Sequence, residues 1–522
     1  MHSKSFWLVI LLAAFLLFVK LGATTVFQVA EARNTRVPAE MIERKDYIVP
    51  FFNGELRTDK PPLHYYAMLL AYRLGGINET SARFFSAVCG LFVIVATWLF
   101  AKRNAGTGVA LWSCLVLLAS VHTIFQFRLA TPDPYLIACH VLSLFCFWEG
   151  FKNYKRSFLW LMYFFLGLAI LAKGPVGLVL PAITIFLFLL LKREFSFSAI
   201  WKLRPLQGLI IIMAVALPWF YLVHVKTGGI WTHGFFFEHN IGRFNKPFDG
   251  HKGPFILTWA FVIMGLFPFS IFLIRAVTMA WQKRVSNTWL FFNLVAAAVV
   301  ILAYSLSATK LLNYTTPAYP FLALVIGSFI FSVIESKEAG KNLWPEWIIL
   351  LLMTLVLPAG LYFWMQSEKP MVPIAWMSVL LSVFPLTMSI AVAYYKKKRI
   401  EKTFYLAAAG AILVNILFFC ILLPALDANG SVHQLKDRVK PGMTVIAYRK
   451  FNDAFTFYHQ KNIPVINSTS TIVELLKHNP NALIVERASA PHLMDSVQGL
   501  VIKDSAKDLF SRQYSFIYEL KK

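Results

Sequence analysis

Charged residues are scarce in this chain. Asp, Glu, Lys and Arg make up only 15% of its 522 residues, and 58% are hydrophobic, whereas soluble domains carry about 25% charged residues. The apolar residues form long runs, at 6–19, 174–191 and 343–364. Runs of about 20 apolar residues cross membranes as helices. The sequence therefore excludes a soluble protein and predicts a polytopic α-helical membrane protein.

Cysteine is also rare. All five cysteines, at 89, 114, 139, 146 and 420, lie within apolar segments. Their spacing fits neither zinc ligands nor a disulfide framework, so they are predicted to be small buried hydrophobic residues. The C-terminal part of the sequence lacks a glycine-rich phosphate loop, and we expect no organic cofactor.

Acidic residues are too few to balance the basic ones, 26 against 50, and the formal net charge is +24. In a soluble protein this excess would suggest a nucleic-acid partner, but here the cations cluster in short gaps between apolar segments. The clusters are Lys102 and Arg103, then Lys152, Lys155 and Arg156, then Lys192, Arg193, Lys202 and Arg204, then Lys283 and Arg284, then Lys337 and Lys341, and the KKKR run at 396–399. Cytoplasmic loops show this positive-inside pattern, so we expect no nucleic acid.

About thirteen membrane spans are predicted. Their approximate limits are 6–27, 84–101, 106–124, 134–151, 157–172, 175–191, 206–223, 254–275, 287–306, 313–334, 344–365, 372–395 and 402–424. With a cytoplasmic N-terminus, every basic cluster falls on the cytoplasmic side. A cleaved signal peptide is the alternative for the first segment, but its length and the residues beyond it favour a retained span.

Two domains are predicted. Residues 1–424 form the transmembrane domain, whose first outer loop, 28–83, contains a helix beginning near Pro38 and a semi-apolar interfacial helix at 60–76. Residues 425–522 alternate strand-like and helix-like segments, which predicts a small extracytoplasmic α/β domain. Its predicted strands lie at 444–448, 463–466 and 482–487.

Two carboxylates lie at helix–loop junctions on the predicted outer face. Glu31 follows the first span, and Asp133 lies in TPDP before the fourth. A carboxylate at such a junction can act as general base for an incoming hydroxyl, or can orient the acceptor. Capping of a helix end is the structural alternative, and for Asp133 it is a good one. Both are candidate catalytic residues.

Cations on the outer face oppose the positive-inside trend and need a local reason. The candidates are Arg33, Arg57, Lys60, Arg243 and Lys310. Phosphate binding supplies such a reason, since arginine offers a planar fork and lysine a point charge. Attraction to anionic headgroups, or snorkelling, is the alternative. Lys173 in LAKGPVG fits either interpretation.

Asp59 and His239 are candidate ligands of a divalent cation. Their spacing is not diagnostic, and an ordinary interfacial histidine is the alternative for His239. Other candidate ligands are His64, His233, Glu238 and His251.

These outer segments together resemble a known family. The stretch 31–66, EARNTRVPAEMIERKDYIVPFFNGELRTDKPPLHYY, is similar to the first outer loop of the bacterial family-39-type glycosyltransferases. That group includes the protein O-mannosyltransferases and the aminoarabinose–lipid A transferase. Further similar motifs follow in order: TPDP (131–134), LAKGPVG (171–177), FFFEHNIGRF (235–244) with HKGPF (251–255), and SATKLLNYTTPAYP (307–320). The resemblance covers about residues 1–330.

The resemblance implies a GT-C fold in the bacterial inner membrane, with an active site on the periplasmic face. It implies an inverting glycosyltransferase that takes a sugar from a polyprenyl phosphate such as undecaprenyl phosphate. The implied acceptor is lipid A, a cell-surface glycan or protein. A lipid-phosphate leaving group needs positive charge nearby and no general acid, which fits the outer-face cations.

The resemblance also implies residue roles. It makes Glu31 and Asp133 the acidic pair near the acceptor, Lys60, Arg33, Arg57, Arg243 and Lys310 the ligands of the carrier phosphate, and Asp59 and His239 the positions of a metal. The family's first acidic pair is usually Asp-Glu, whereas this chain has Ala30-Glu31. The base is therefore either Glu31 or Asp133, and we expect Glu31 to face a catalytic cavity at the outer interface.

Two other classes of protein remain as alternatives. A polytopic transporter or lipid-linked sugar flippase often has repeated halves and a site at mid-membrane. This sequence has no internal repeat, and its unusual charges collect at one face. The hypothesis of a catalytically inactive scaffold is supported only by the missing Asp at position 30.

Overall fold

Helices make up most of the described part of residues 2–428, because backbone polar groups inside a bilayer are satisfied within a helix. The computed structural model describes residues 2–153, 155–242, 253–336, 342–493, 497–509 and 511–521. The helices up to residue 226 are α1 (His2–Phe18), α2 (Val29–Arg44), α3 (Leu63–Gly75), α4 (Glu79–Ala105), α5 (Thr107–Ala119), α6 (Val121–Phe127), α7 (Asp133–Asn153), α8 (Arg156–Lys173), α9 (Val176–Leu191), α10 (Phe197–Lys202) and α11 (Pro205–Lys226).

The second half of the membrane region contains more irregular helical turns than the first. Its elements are α12 (Ile230–His233), a π-helix (Gly234–Gly242), α13 (Leu257–Gly265), a 3-10 helix (Phe269–Phe272), α14 (Leu273–Gln282), α15 (Thr288–Leu306), a 3-10 helix (Leu312–Ala318), α16 (Tyr319–Glu335), α17 (Trp344–Ser367), a 3-10 helix (Lys369–Ser382), α18 (Val383–Lys396), α19 (Ile400–Leu417), a π-helix (Phe418–Leu422) and α20 (Leu423–Ala428).

Each of the thirteen predicted spans coincides with a helix or a bent pair of helices in the described residues. Within the described ranges, nine helices are long and apolar enough to cross a membrane, or up to eleven if each bent pair is one span. The two other segments are shorter apolar helices, Lys4–Phe18 and Val176–Leu191. The polytopic helical architecture is confirmed, while the count of thirteen stays a prediction.

Two of the predicted spans are sharply bent. α5 and α6 meet at 76°, and α13 meets the segment Phe269–Gln282 at 118°. At the first bend Ser120 caps α6, since its Oγ accepts a hydrogen bond from the Thr123 amide at 3.0 Å. The same hydroxyl donates to the carbonyl of Gly265 at 2.5 Å. A hydrogen bond therefore joins the two bends directly.

The first outer loop folds into two helices and a hairpin. α2 begins at Val29, so the prediction of a helix start near Pro38 is wrong. Pro38 lies inside the helix, and burial of the surrounding side chains holds the helix together across the missing N–H. β1 (Phe51–Phe52) pairs antiparallel with β2 (Glu55–Leu56) around Asn53-Gly54, both of which have positive φ.

A mixed sheet follows the last membrane helix. Its elements are α21 (Ser431–Leu435), a 3-10 helix (Lys436–Arg438), β3 (Val445–Tyr448), α22 (Ala454–His459), β4 (Val465–Ile466), α23 (Thr469–His478), β5 (Leu483–Ala488), β6 (Leu500–Lys507) and β7 (Tyr514–Leu520). The strand order is β4-β3-β5-β7-β6; β3 runs parallel to β4 and β5, and β7 runs antiparallel to both neighbours. The three predicted strands coincide with β3, β4 and β5.

The sheet region is hydrogen-bonded to the first outer loop. The amide side chain of Asn53 donates to the Ile463 carbonyl at 2.8 Å and accepts from the Ile463 amide at 2.7 Å. The Tyr458 hydroxyl donates to Glu79 at 2.8 Å. The sheet therefore lies on the same side of the membrane region as this loop.

A glycine allows two helices of the core to pack closely. A Cβ added at Gly327 in α16 would lie 2.5 Å from the Ser113 hydroxyl and 2.6 Å from the Ser113 amide of α5. Backbone atoms cannot move away as a side chain can, so α5 and α16 pack this closely only with glycine at this position.

We predict that Gly327→Val destabilises the membrane region, since overpacking of a core costs about 1–3 kcal/mol. Gly360→Val in α17 is the matched control, because a Cβ there would meet nothing within 4 Å. Thermal unfolding of the two variants in detergent measures the difference. Equal melting temperatures for both variants would contradict the close packing of α5 and α16.

Candidate active site

A cavity of about 1230 Å³ lies between α9 and α15. One end is polar and is lined by Asp59, Lys60, Lys173, His239, Asn240, Tyr304, Ser307, Thr309 and Tyr314. We call this end the mouth. Beyond the mouth the walls are apolar side chains, chiefly of α9 and α15, and they continue to Leu191, Trp281 and Phe291.

The apolar part of the cavity is long. The 16 residues of α9 give a wall of about 24 Å at 1.5 Å per residue, against a hydrocarbon core of about 30 Å. Ala298 on α15 lies between the two ends, and Val179 and Ile183 line the wall on α9. An extended hydrocarbon chain with a polar group at the mouth fits this shape.

Lys60 and Asp59 come to the mouth on an extended segment. Two prolines follow them before α3 begins, and a residue before proline favours extended backbone. The Lys60 ammonium donates to its neighbour's carbonyl at 3.1 Å and lies 3.5 Å from the Asp59 carboxylate. Arg57 Nε donates to that carboxylate at 2.6 Å. This segment therefore brings Lys60 and the Asp59 carboxylate to the mouth, and Arg57 holds that carboxylate from behind the cavity lining.

A second charged pair comes from two neighbouring helices. Asp133 is the first residue of α7 and Lys173 the last of α8, and the two helices pack together along their length. The Lys173 ammonium donates to Asp133 Oδ1 at 2.5 Å, and Asn313 donates to Oδ2 at 3.1 Å. An acid at a helix N-terminus and a base at a C-terminus both suit the helix dipoles. Lys173 also lies 4.7 Å from the centre of the Tyr314 ring.

His64 lies one turn after Lys60 and is fully buried. Burial lowers the pKa of His64 well below its usual value, and the nearby Arg57 and Lys60 act in the same direction. The imidazole is therefore neutral at pH 7. The positive charge near this part of the mouth resides on lysine and arginine.

Asp59 and His239, the predicted metal positions, both line the mouth. His239 Nε2 lies 3.1 Å from the Thr58 hydroxyl, and Asp59 is bound by Arg57. In the part of the chain that the structure describes, no three His, Cys, Asp or Glu side chains converge as a metal site. The described donors alone therefore do not make up a metal site, His251 lies outside the described residues, and a metal requirement stays a prediction.

Glu31 does not line the cavity. It is fully buried, and Arg83 of α4 binds both its oxygens, at 2.7 and 2.9 Å. The Ala130 amide donates to Oε1 at 2.9 Å. Our expectation that Glu31 faces the catalytic cavity differs from this geometry, because the buried Arg83 captures the carboxylate. Its catalytic role is untested, and its contacts are those of a residue that holds α2 against α4 and the loop before α7.

The other predicted phosphate ligands that the structure describes have partners in different parts of the fold. Arg33 Nε donates to Asp453 next to α22 at 2.6 Å. The Lys310 ammonium donates to three carbonyls at the C-terminal end of α15, those of Tyr304, Ser305 and Ser307, at 3.0, 2.6 and 2.7 Å. Such contacts cap a helix end. Arg243 lies outside the described residues.

Among the predicted site residues, the structure thus groups Asp59, Lys60 and His239 at the mouth, with Asp133 bound to Lys173 beside them. The sequence left Lys173 open between two interpretations, because its partner is 40 residues away. Asn313 and Tyr314 were part of a quoted motif, but nothing in their residue types indicated contact with Asp133 and Lys173.

Known proteins share the sequence features of this chain. The profile of a family described as dolichyl-phosphate-mannose-protein mannosyltransferase matches residues 59–221. An uncharacterized protein of Aquifex aeolicus is 30% identical over 388 residues, which are 73% of this chain and 75% of that protein. An undecaprenyl phosphate-alpha-4-amino-4-deoxy-L-arabinose arabinosyl transferase of Pectobacterium atrosepticum is 28% identical over 346 residues. The match covers 64% of this chain and 61% of that relative.

A solved structure shares the fold. The crystal structure of ArnT from Cupriavidus metallidurans bound to undecaprenyl phosphate superposes with a TM-score of 0.81. The match covers 98% of this chain and 97% of that one, at 18% sequence identity. The likeness of fold therefore includes the C-terminal sheet.

We predict that Glu31→Gln lowers the stability of the protein. A glutamine amide would point a donor at the buried guanidinium of Arg83, and breaking a buried ion pair costs about 3–5 kcal/mol. Glu55→Gln, at an exposed carboxylate of the same loop, is the matched control. Thermal unfolding checks this prediction. Wild-type stability for Glu31→Gln together with lost activity would instead return Glu31 to a catalytic role.

Proposed function

Because the chain belongs to the GT-C family of membrane glycosyltransferases related to the aminoarabinose transferases and the protein mannosyltransferases, we propose that it transfers a sugar from undecaprenyl phosphate to an extracytoplasmic acceptor. The observation that carries this proposal is the cavity between α9 and α15. It joins a long apolar wall, suited to one polyprenyl chain, to a mouth that contains Lys60 and Lys173.

The two lysines act on the leaving group. In the transfer, the bond between the anomeric carbon and the phosphate oxygen breaks, and its electron pair leaves with the polyprenyl phosphate. A nucleophilic oxygen or nitrogen of the acceptor forms the new bond to that carbon. Lys60 and Lys173 offset the charge that develops on the phosphate, in a site where nearby apolar walls strengthen electrostatic interactions.

Asp133 is the carboxylate that we assign to the acceptor. Lys173 and Asn313 hold both its oxygens in place beside the mouth, so it can orient the acceptor and take a proton from a hydroxyl. Glu31, in contrast, acts as a positioning residue through Arg83. The acceptor attacks the anomeric carbon from the face opposite the leaving phosphate, and this single displacement inverts the anomeric centre. No step is assigned to a metal.

The active site faces the periplasm of a bacterial inner membrane in this proposal. The basic clusters, which mark the cytoplasmic side, lie at the opposite ends of α7 and α8 from Asp133 and Lys173. The sheet region covers the first outer loop on the site's side. The acceptor is lipid A, a cell-surface glycan or protein.

We predict that Lys60→Ala lowers the rate of sugar transfer at least about 100-fold, while the protein still inserts and folds. The reason is the loss of a positive charge that stabilises the leaving phosphate. A strain lacking the gene is complemented with each variant, and its polyprenyl-linked sugar is measured by mass spectrometry. Lys461→Ala, at an exposed lysine of the sheet region, is the control, and it should restore the wild-type level of the polyprenyl-linked sugar. Near-normal activity of Lys60→Ala would remove Lys60 from the site.

We also predict that Ala298→Trp discriminates donors by chain length. The indole fills the cavity midway along its wall. Isoprene units beyond it are then no longer buried, and the binding free energy falls by about 0.8 kcal/mol per CH₂. Turnover of a full-length donor should fall at least about tenfold, while a three-isoprene donor is less affected. Ala359→Trp, on an exposed face of α17, is the control. Equal loss with both donors would place the lipid chain elsewhere.

A further inference from the structure

A second pocket lies at the other end of α7. It has a volume of about 610 Å³ and is formed by the end of α7, the start of α8, and α10 with the residues after it. Its lining is Gly150, Phe151, Arg156, Leu159, Phe197, Ser198, Trp201, Lys202, Leu203 and Arg204. α7 is 21 residues long, so the pocket is about 30 Å from the mouth. It belongs to the opposite face of the membrane region.

The pocket is cationic. Arg156 comes from α8, Lys202 from the end of α10, and Arg204 from the turn before α11. Among the described residues, no Asp or Glu lines it. The acid next to it in sequence, Glu149, is bound by Arg103 at 3.0 Å and Asn104 at 2.9 Å. Three positive charges from two segments, the start of α8 and the end of α10 with the turn after it, therefore converge on one concave surface.

The pocket is also bordered by exposed aromatic rings. α10 contains no buried residue. Phe197 is 79% exposed and Trp201 54% exposed, and their rings stack at 5.8 Å. Aromatic side chains of this kind lie at the level of lipid headgroups. A water-soluble anion needs no such rings, whereas a lipid presents its phosphate and its acyl chains side by side.

Position also connects the pocket to the membrane. The hydroxyl of Tyr163 in α8 donates to the Leu203 carbonyl at 2.8 Å, which fixes the turn between α10 and α11 against α8. Leu206 and Leu209 at the start of α11 are exposed, so apolar surface that lipid chains can cover begins directly beside the cations.

We propose that this pocket binds the headgroup of an anionic glycerophospholipid from the leaflet it faces. The lipid phosphate lies among Arg156, Lys202 and Arg204, where charge-assisted hydrogen bonds form. Its acyl chains pack on Phe197 and Trp201. The site is separate from the proposed donor cavity and does not depend on the proposed function.

Native mass spectrometry of the protein, released from detergent with added phosphatidylglycerol or with phosphatidylcholine, tests the proposal. The test variant is Arg156→Gln/Lys202→Gln/Arg204→Gln. The matched control is Lys397→Gln/Lys398→Gln/Arg399→Gln, which removes the same charge from an exposed basic run on the same side. We expect the test variant to retain about tenfold less phosphatidylglycerol than wild type and the control to match wild type. Equal retention by the two triple variants would overturn the proposal.

Competition distinguishes a lipid from a soluble anion. Inorganic phosphate at millimolar concentration should not displace phosphatidylglycerol; displacement would overturn the assignment to a lipid. If the triple variant does not fold, Trp201→Phe replaces it. In phosphatidylcholine vesicles, brominated phosphatidylglycerol should quench the tryptophan fluorescence of the wild type more than brominated phosphatidylcholine does. Trp201→Phe should remove this difference in quenching. Equal quenching of the wild type by both lipids would overturn the proposal.

Discussion

One buried guanidinium holds the outer half of this protein together. Arg83 of α4 donates to the carbonyls of Leu21, Thr24 and Thr25, at 3.1, 2.8 and 2.8 Å, and binds the Glu31 carboxylate. A charge this deep is costly unless it is paired and hydrogen-bonded. Its partners thereby fix the turn between α1 and α2. That turn begins the loop that carries Asp59 and Lys60 to the mouth.

The outer-face cations have individual explanations. The general trend places lysine and arginine on the cytoplasmic side, and four cations of the outer face each have a local partner. Arg33 is bound by Asp453, Arg57 by Asp59, Lys173 by Asp133, and Lys310 by helix-end carbonyls. Only those at the mouth of the cavity also face a space large enough for a substrate. Position relative to the cavity, more than charge, separates the proposed phosphate ligands from structural cations.

The membrane architecture was predictable because span length and apolar composition are local properties. The bend between α5 and α6 was not, since it depends on Ser120 contacting Gly265, 145 residues away. The strand β6 was missed because charged residues interrupt its apolar pattern, LVIKDSAK, whereas β7, YSFIYEL, has an aromatic and β-branched run that was left unassigned. Of the five sheet strands, β6 alone therefore lacks a clear apolar pattern in the sequence.

The candidate site was predictable in part for the same reason. The motif around Lys60 is contiguous, so its residues could be recognised together. Glu31 was assigned to the cavity from its place after the first span, but its partner Arg83 lies 52 residues further along the chain. Pairings of this range follow from tertiary packing, and a single sequence does not contain them.

The most direct test of the account is a mass-spectrometric comparison of cell-envelope glycolipids and glycoproteins from cells with and without the gene, with polyprenyl-linked sugars profiled in the same extracts. If the protein is the proposed transferase, cells without the gene lose one sugar from one acceptor while its polyprenyl-phosphate donor accumulates. An unchanged glycan profile with altered uptake of small molecules would contradict the proposal and favour a transporter.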